Sequence, residues 1–192
     1  MLRPYNARVS THLSHKRVLI LGAETEIGRA VVTAVAEAGA SVAAVAATSD
    51  AEAAFTVQRL ARRLSSSGRK VITQAIDATN EAAVRVMMRQ MSKELGGLDA
   101  VVDCTLTTAD PDPSEKEWLP HKFLITHAGK EFERAGGGRF VEVRFGWMEV
   151  LMRFYWPDKP KWQHDTITTK DRPVEVIVPE VVRAIAGEGD SG

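Results

Sequence analysis

The sequence predicts a three-layer α/β protein, in which helices cover both faces of a doubly wound parallel sheet. Short apolar runs alternate with segments of helical periodicity between residues 17 and 145. The runs lack the alternation of a half-exposed strand, which is typical of strands buried on both faces. Glycines and helix-capping residues stand at the junctions. Because strand–helix–strand connections are right-handed, this order predicts parallel strands with helices above and below.

Five strands and four helices follow from these patterns. The strands are predicted at 17–21, 41–46, 71–76, 98–102 and 139–145. The helices are predicted at 27–38, 50–64, 80–95 and 121–134. The first helix ends before Gly39, a residue suited to a left-handed cap, and the second begins at Asp50, which can cap its N-terminus. The third helix has the clearest apolar side, from Val84 to Leu95.

The rest of the chain is less regular. A polar, proline-bearing loop separates the fourth strand from the fourth helix, and Ser114 is placed to start that helix. Further on, Pro157 and Pro160 interrupt any regular helix. A sixth strand is expected at 174–178 and a short last helix at 179–186.

Composition describes an ordinary globular chain. Its 192 residues suffice for one core, and we expect a single domain at 16–186 between a flexible tail at 1–15 and a disordered tail at 187–192. Basic and acidic residues both number 25, so a net charge of zero gives no sign of a nucleic-acid partner. No apolar run approaches the roughly 18 residues that cross a bilayer. The single cysteine, Cys104, excludes an internal disulfide and favours a reducing, cytoplasmic location.

Four stretches of the chain carry a resemblance to a known family. They are LGAETEIGRA after the first strand, IDAT after the third, KELGGLDAVVD leading into the fourth and AGGGRFVEV at the fifth. Over residues 16–145 the chain resembles the short-chain dehydrogenase/reductases. The resemblance implies a Rossmann-like domain, truncated at its C-terminus relative to the family, that would bind NAD or NADP if it binds any cofactor.

The loop after the first strand, residues 22–28, is called the glycine loop below. The resemblance places dinucleotide contacts at Gly22, Glu26, Ile27 and Gly28, and an adenine contact at Asp77. The first and last glycines shape the loop, but Glu26 replaces the glycine that lets the backbone approach the diphosphate. A carboxylate there would repel phosphate by about 4 kcal/mol at about 4 Å and an effective dielectric of about 20. We therefore expect no dinucleotide, unless Glu26 turns into solvent.

Other positions also differ from the residues that the family uses to bind its cofactor and substrate. Ala46 and Ala47 stand where an acid would bind the ribose of NAD or an arginine the phosphate of NADP. At the end of the fourth strand the family's NNAG becomes residues 103–106, and Leu106 would obstruct the cofactor. Arg144 and Phe145 stand where the family has its serines. Arg29 is assigned to a solvated helix face, and Asp77 is explained by a turn as well as by a ligand.

The family's tyrosine–lysine pair has one match in this sequence. Tyr155 and Lys159 have the required spacing, but Pro157 lies between them and breaks the shared helix face. We therefore expect no catalytic residues, and these two are the only candidates. No pattern of histidines or cysteines predicts a metal site.

Aromatic residues concentrate between Trp118 and Trp162. Either they form an ordinary core or they form a partner surface, since such residues anchor interfaces. We expect a protein partner or a homo-oligomer, held through the helix at 119–134 and the aromatic region at 145–162. The favoured function is a non-catalytic structural or interaction subunit. The alternatives are an NAD(P)-dependent oxidoreductase with an altered site and a nucleotide or metabolite sensor.

Overall fold

A computed structural model describes residues 12–107, 115–145 and 162–188, and its core is a six-stranded sheet in which every pairing is parallel. The strands run in the spatial order β3-β2-β1-β4-β5-β6. The strands are β1 Arg17–Leu21, β2 Ser41–Ala46, β3 Val71–Ala75, β4 Ala100–Leu106, β5 Arg139–Arg144 and β6 Gln163–Thr168. This is the order of a doubly wound sheet, which places a crevice where the winding reverses between β1 and β4.

In the described ranges, five helices cover the two faces of the sheet. They are α1 Glu26–Glu37, α2 Ala51–Ser66, α3 Glu81–Leu95, α4 Glu115–Ala135 and α5 Val174–Ala186. One core layer joins α1, α2 and α5 to one face of the sheet, and a second joins α3 and α4 to the other. Successive strand residues alternate between the layers, so Leu19 and Ile20 are both completely buried but on opposite faces.

Side-chain caps explain why the first three helices begin where they do. The Thr25 hydroxyl accepts a hydrogen bond from the N–H of Gly28 at the start of α1. Asp50 and Asn80 each accept two N–H groups in the first turns of α2 and α3. Each cap satisfies donors that a helix start leaves without intrahelical partners. The assignment of Asp50 to a helix cap is confirmed.

The predicted doubly wound fold is confirmed, with differences at the ends of elements. β4 continues to Leu106, beyond the predicted end at residue 102, with a register shift against β5 between Asp103 and Leu106. α4 begins at residue 115 rather than 121, because Pro120 lies inside the helix without ending it. Leu13, in the predicted N-terminal tail, is completely buried, so the packed part of the chain begins before residue 16.

The last predicted strand is wrong. β6 is Gln163–Thr168, and the residues expected to form a strand at 174–178 belong to α5. The buried residues of α5 recur at helical spacing, as Ile177, Val181, Ala184 and Ile185. Ala184 and Ile185 would point to opposite faces of a strand, but they lie on the same side of a helix. Among the described residues, no helix combines the length and the apolar character needed to cross a membrane.

Candidate functional site

A crevice lies at the carboxyl ends of the central strands, where doubly wound sheets bind their ligands. Its volume is about 370 Å³. It is bounded by the glycine loop, the end of β2, the loop after β3, the end of β4 and the first two turns of α4. The lining residues are Glu24, Thr25, Ala47, Thr79, Thr105, Lys116, Glu117 and Pro120.

The two outer glycines of the glycine loop are required by close packing. Gly22 has a φ of +82°, and a Cβ on it would lie 2.8 Å from the carbonyl carbon of Cys104. A Cβ on Gly28 would overlap the carbonyl oxygen of Gly22. The Thr25 hydroxyl ties these parts together, because it accepts from the N–H of Gly28 and donates to the carbonyl of Gly22, both at 2.9 Å. The loop therefore retains the tight turn of a nucleotide-binding loop. Ile27 is partly buried against the first core layer.

The carboxylate that faces the crevice is Glu24 and not Glu26. Glu26 is the first residue of α1, and its side chain is exposed and does not line the cavity. Glu24 is partly buried, and both of its carboxylate oxygens lie 3.1 Å from the backbone nitrogen of Ala47. Burial raises the pKa of Glu24, an effect that its hydrogen bonds to backbone N–H groups oppose. The expected repulsion from Glu26 is therefore absent from the crevice.

Three other sequence-predicted positions have explanations within the chain. The Asp77 carboxylate is exposed and accepts the N–H and hydroxyl of Thr79, which lowers the pKa of Asp77 and forms a turn. Arg29, predicted on a solvated helix face, is partly exposed, and its guanidinium donates to the carbonyl of Glu24 at 2.5 Å. Leu106 is buried and not among the lining residues, so the side chain of β4 that borders the crevice is Thr105.

Beside the crevice, β4, β5, β6 and α4 carry a set of ionisable side chains, called the ion cluster below, of which all but that of His164 are buried. Its members are Asp103, His121, Glu142, Arg144 and His164. His121 Nδ1 lies 2.7 Å from an oxygen of Asp103, and Arg144 Nη1 lies 3.4 Å from Glu142. His164 Nε2 lies 3.2 Å from the other oxygen of Glu142. Asp103 and Glu142 are register partners, so two carboxylates meet on one face of the sheet.

The positive groups of the ion cluster offset the free-energy cost of burying two adjacent carboxylates. Asp103 and Glu142 are completely buried, and Arg144 is 2% exposed. Burial lowers the pKa of His121, but its hydrogen bond to Asp103 and the charges of Asp103 and Glu142 outweigh that effect, so the pKa is raised. His121 therefore carries positive charge more readily than a free histidine. Its second ring nitrogen has no hydrogen-bond partner among the described residues.

Several predicted positions lie outside the described residues. They include both catalytic candidates, Tyr155 and Lys159, and the segment 146–161 of the aromatic region. In the described part, Trp162 is buried against Phe132 and Phe140, with ring centroids 5.8 and 6.2 Å away. These aromatics form core.

Two further features have little chemical capacity. Cys104 is completely buried, and burial raises its pKa well above the ordinary value, so it behaves as a small apolar residue. Within the described ranges, no three His, Cys, Asp or Glu side chains converge in the way that metal ligands do.

The sequence reading missed Glu24 and most of the ion cluster. Glu142 had a detectable signal, since it is a lone charge inside an apolar strand, in VEV. Once the register of β4 against β5 is known, Asp103 is identified as the second carboxylate beside Glu142. His121 and Glu24 had no such signal, because their partners lie 18 and 23 positions away in the chain.

The described residues fit one half of a dinucleotide. The shape of the glycine loop is intact, and a carboxylate stands at the end of β2, where it can accept hydrogen bonds from ribose hydroxyls. At the end of β5, the other half would meet Arg144 and Phe145, neither of which offers the hydroxyl expected from the family resemblance. The described residues can therefore accommodate the adenosine half of such a cofactor. For the nicotinamide half, they offer no hydroxyl at the end of β5.

The comparisons with known proteins agree with this geometry. The model of the short chain dehydrogenase family matches residues 16–118. Glycine betaine reductase of Emericella nidulans is 39% identical over 92 residues, which are 48% of this chain and 7% of that protein. A short chain dehydrogenase of Pseudocercospora fijiensis is 32% identical over 96 residues, 50% of this chain and 29% of that protein. The matches thus span less than a third of either relative.

The fold of a solved structure is similar to that of nearly the whole chain. A short chain dehydrogenase from Mycobacterium smegmatis aligns over 91% of this chain and 87% of its own, with a TM-score of 0.74 and 17% identity. At that identity the alignment speaks for the fold alone. The family match, however, covers more than half of the residues and includes the glycine loop and every residue that lines the crevice except Pro120. The chain belongs to the short-chain dehydrogenase family.

Proposed function

We propose that this chain is a non-catalytic member of its family, which serves as a structural or interaction subunit of an oligomer or larger complex. The observation that carries the proposal is the state of Arg144. Together with Phe145, it stands where the family resemblance places two serines; it is 2% exposed and pairs with the buried Glu142.

The chemistry of the ion cluster supports this proposal. Carbonyl reduction in this family needs a hydroxyl near the end of β5 to orient the substrate, and a buried guanidinium paired with a carboxylate cannot take that role. Removing Arg144 from its position would leave Glu142 short of an opposing charge, which is costly in a buried site. The arrangement therefore stabilises the fold at the expense of a substrate site.

The proposed partner surface includes α4 and the aromatic region at 145–162. Within α4, one side is buried in the second core layer, while Lys122, Lys130 and Glu133 remain exposed and could face another protein. A reducing, cytoplasmic setting belongs to the same proposal and is supported by the single, buried Cys104.

A turnover assay tests the proposal. Purified protein is incubated with NADH or NADPH and a panel of aldehydes and ketones, and the nicotinamide absorbance is followed. We expect no consumption above the rate of the Tyr155→Phe variant, which removes the only candidate acid/base. Loss of a positioned acid/base ordinarily lowers a rate by about 10² to 10⁴. Consumption that Tyr155→Phe abolishes would overturn the proposal.

The second candidate is an NAD(P)-dependent oxidoreductase with an altered site. The observation in its favour is the preserved packing around Gly22 and Gly28, with a crevice of about 370 Å³ beside it. The same assay separates the two candidates, because binding of a dinucleotide alone is compatible with both, and turnover with only the second.

A further inference from the structure

Glu24 places a carboxylate where a residue at the end of β2 ordinarily supplies one. In doubly wound dinucleotide-binding domains, an acidic residue near the end of β2 accepts hydrogen bonds from the ribose hydroxyls. Here β2 ends in Ala46, followed by Ala47. The carboxylate of Glu24 arrives from the neighbouring glycine loop and binds the backbone N–H of Ala47 through both oxygens at 3.1 Å. An acid thus stands at this end of the sheet, although the sequence of β2 contains none.

This carboxylate retains capacity for a ligand. Two carboxylate oxygens offer about four acceptor positions, and the N–H of Ala47 uses only part of them. Glu24 lines the crevice, whose volume of about 370 Å³ lies within the range of small-molecule sites. A vicinal ribose diol presents two hydroxyl donors, which is the complement of a carboxylate with unused lone pairs.

The same carboxylate opposes an anion. Glu24 is partly buried, and burial weakens the screening of its charge by water. Glu117 adds a second acid to the lining, and Lys116 supplies one base. A phosphate on the ribose 2′ position would bring up to two further negative charges against Glu24. The lining therefore disfavours nucleotides that carry a phosphate at the ribose 2′ position.

We propose that the crevice binds adenosine nucleotides that have a free ribose 2′-hydroxyl, and that Glu24 selects them against 2′-phosphorylated nucleotides. The ligand class includes NAD, ADP-ribose and ADP, and it excludes NADP. This selection does not depend on whether the chain catalyses a reaction, because it concerns the adenosine half alone.

Titration calorimetry with AMP and with adenosine 2′,5′-bisphosphate, which differ only in the 2′-phosphate, tests the proposal without any turnover. The wild-type chain is expected to bind AMP about tenfold or more tightly than the bisphosphate, the scale of one hydrogen bond to a charged group. Glu24→Gln keeps the size of the side chain and an oxygen for the N–H of Ala47, but removes the charge. This variant is expected to lose about tenfold in AMP affinity and to lose the preference.

Glu26→Gln is the matched control, since Glu26 lies in the same loop with its side chain exposed. It is expected to leave both affinities unchanged. Circular dichroism of each variant shows whether it is folded, and Glu24→Asp, which keeps the charge, should keep the preference if Glu24→Gln does not fold. The proposal is overturned if neither nucleotide binds, if both bind wild type equally, or if Glu26→Gln has the effect expected of Glu24→Gln.

Discussion

Glu24 and Glu26 are two positions apart in one loop, yet their surroundings have little in common. Glu24 is partly buried and bound to Ala47, whereas Glu26 is the exposed first residue of α1. The Thr25 cap lies between them and fixes the direction in which each side chain leaves the backbone. A carboxylate in a glycine loop therefore excludes a phosphate or receives a ribose according to its position in the turn. Sequence alone identifies the residue type but not this direction.

His121 gives a second test at the scale of one residue. Its pKa is raised above the ordinary value of 6.5, so the folded chain holds a proton there more tightly than the unfolded chain. The stability that His121 contributes is fully present below about pH 6.5 and is lost as the pH rises through its folded pKa. The difference in free energy of unfolding between wild type and His121→Gln should therefore shrink from about pH 6.5 upward. Urea denaturation at a series of pH values measures it.

His127 is the matched control for that experiment. It lies on the same helix, and burial together with the charge of Lys130 lowers its pKa. The difference between wild type and His127→Gln should consequently change with the opposite sign, growing in favour of wild type as the pH rises toward 6.5. If both histidines give the same slope, the charge assigned to His121 is wrong.

At the scale of elements, β5 contributes buried side chains to the core but no hydroxyl for carbonyl reduction. Phe140, Glu142 and Arg144 project to the same face at the strand period, and all three are buried. Phe140 packs with Trp162, while Glu142 pairs with both Arg144 and His164. The strand ends in a paired guanidinium at the place where a substrate would need a hydroxyl.

The pair on β5 can be tested by a double-mutant cycle. Arg144→Met should lower the free energy of unfolding by about 3 kcal/mol, because it leaves a buried carboxylate with less compensation. Glu142→Gln combined with Arg144→Met should cost less than the sum of the single changes, by about 1 to 3 kcal/mol. Urea denaturation supplies each value. Strict additivity would show that the two side chains are not coupled.

Arg134→Met is the control for this cycle. Arg134 pairs with Glu131 on α4, but its side chain is 54% exposed, so water screens the pair. Its loss should cost well under about 1 kcal/mol. A cost equal to that of Arg144→Met would contradict the role given to burial.

At the scale of the whole molecule, the parts that sequence could predict are those set by local patterns. The order of elements through β5, the bounds of β1 and β2 and the cap at Asp50 all follow from periodicity and capping chemistry. β6 was missed because QHDTIT lacks the apolar run of a buried strand, and its side chains are mostly exposed. The predicted strand at 174–178 failed because a run of Val and Ile suits a buried helix equally well.

The candidate site was harder to predict for a different reason. Gly22 and Gly28 are determined by local turn geometry, so the sequence identified them. The contacts of Glu24 with Ala47 and of His121 with Asp103 depend on which chain segments the fold brings together. Such pairs become visible only when the register of β4 and β5 and the position of α4 are known.

The central claim is that this scaffold retains a place for adenosine and has lost the reaction. Its most direct test is deuteride transfer under single-turnover conditions, with excess protein, NADH carrying deuterium at the reactive carbon and a panel of carbonyl compounds, read by mass spectrometry. The account predicts no deuterated alcohol above the amount formed with Tyr155→Phe. Deuterium found in a product with wild type, and absent with Tyr155→Phe, would contradict it.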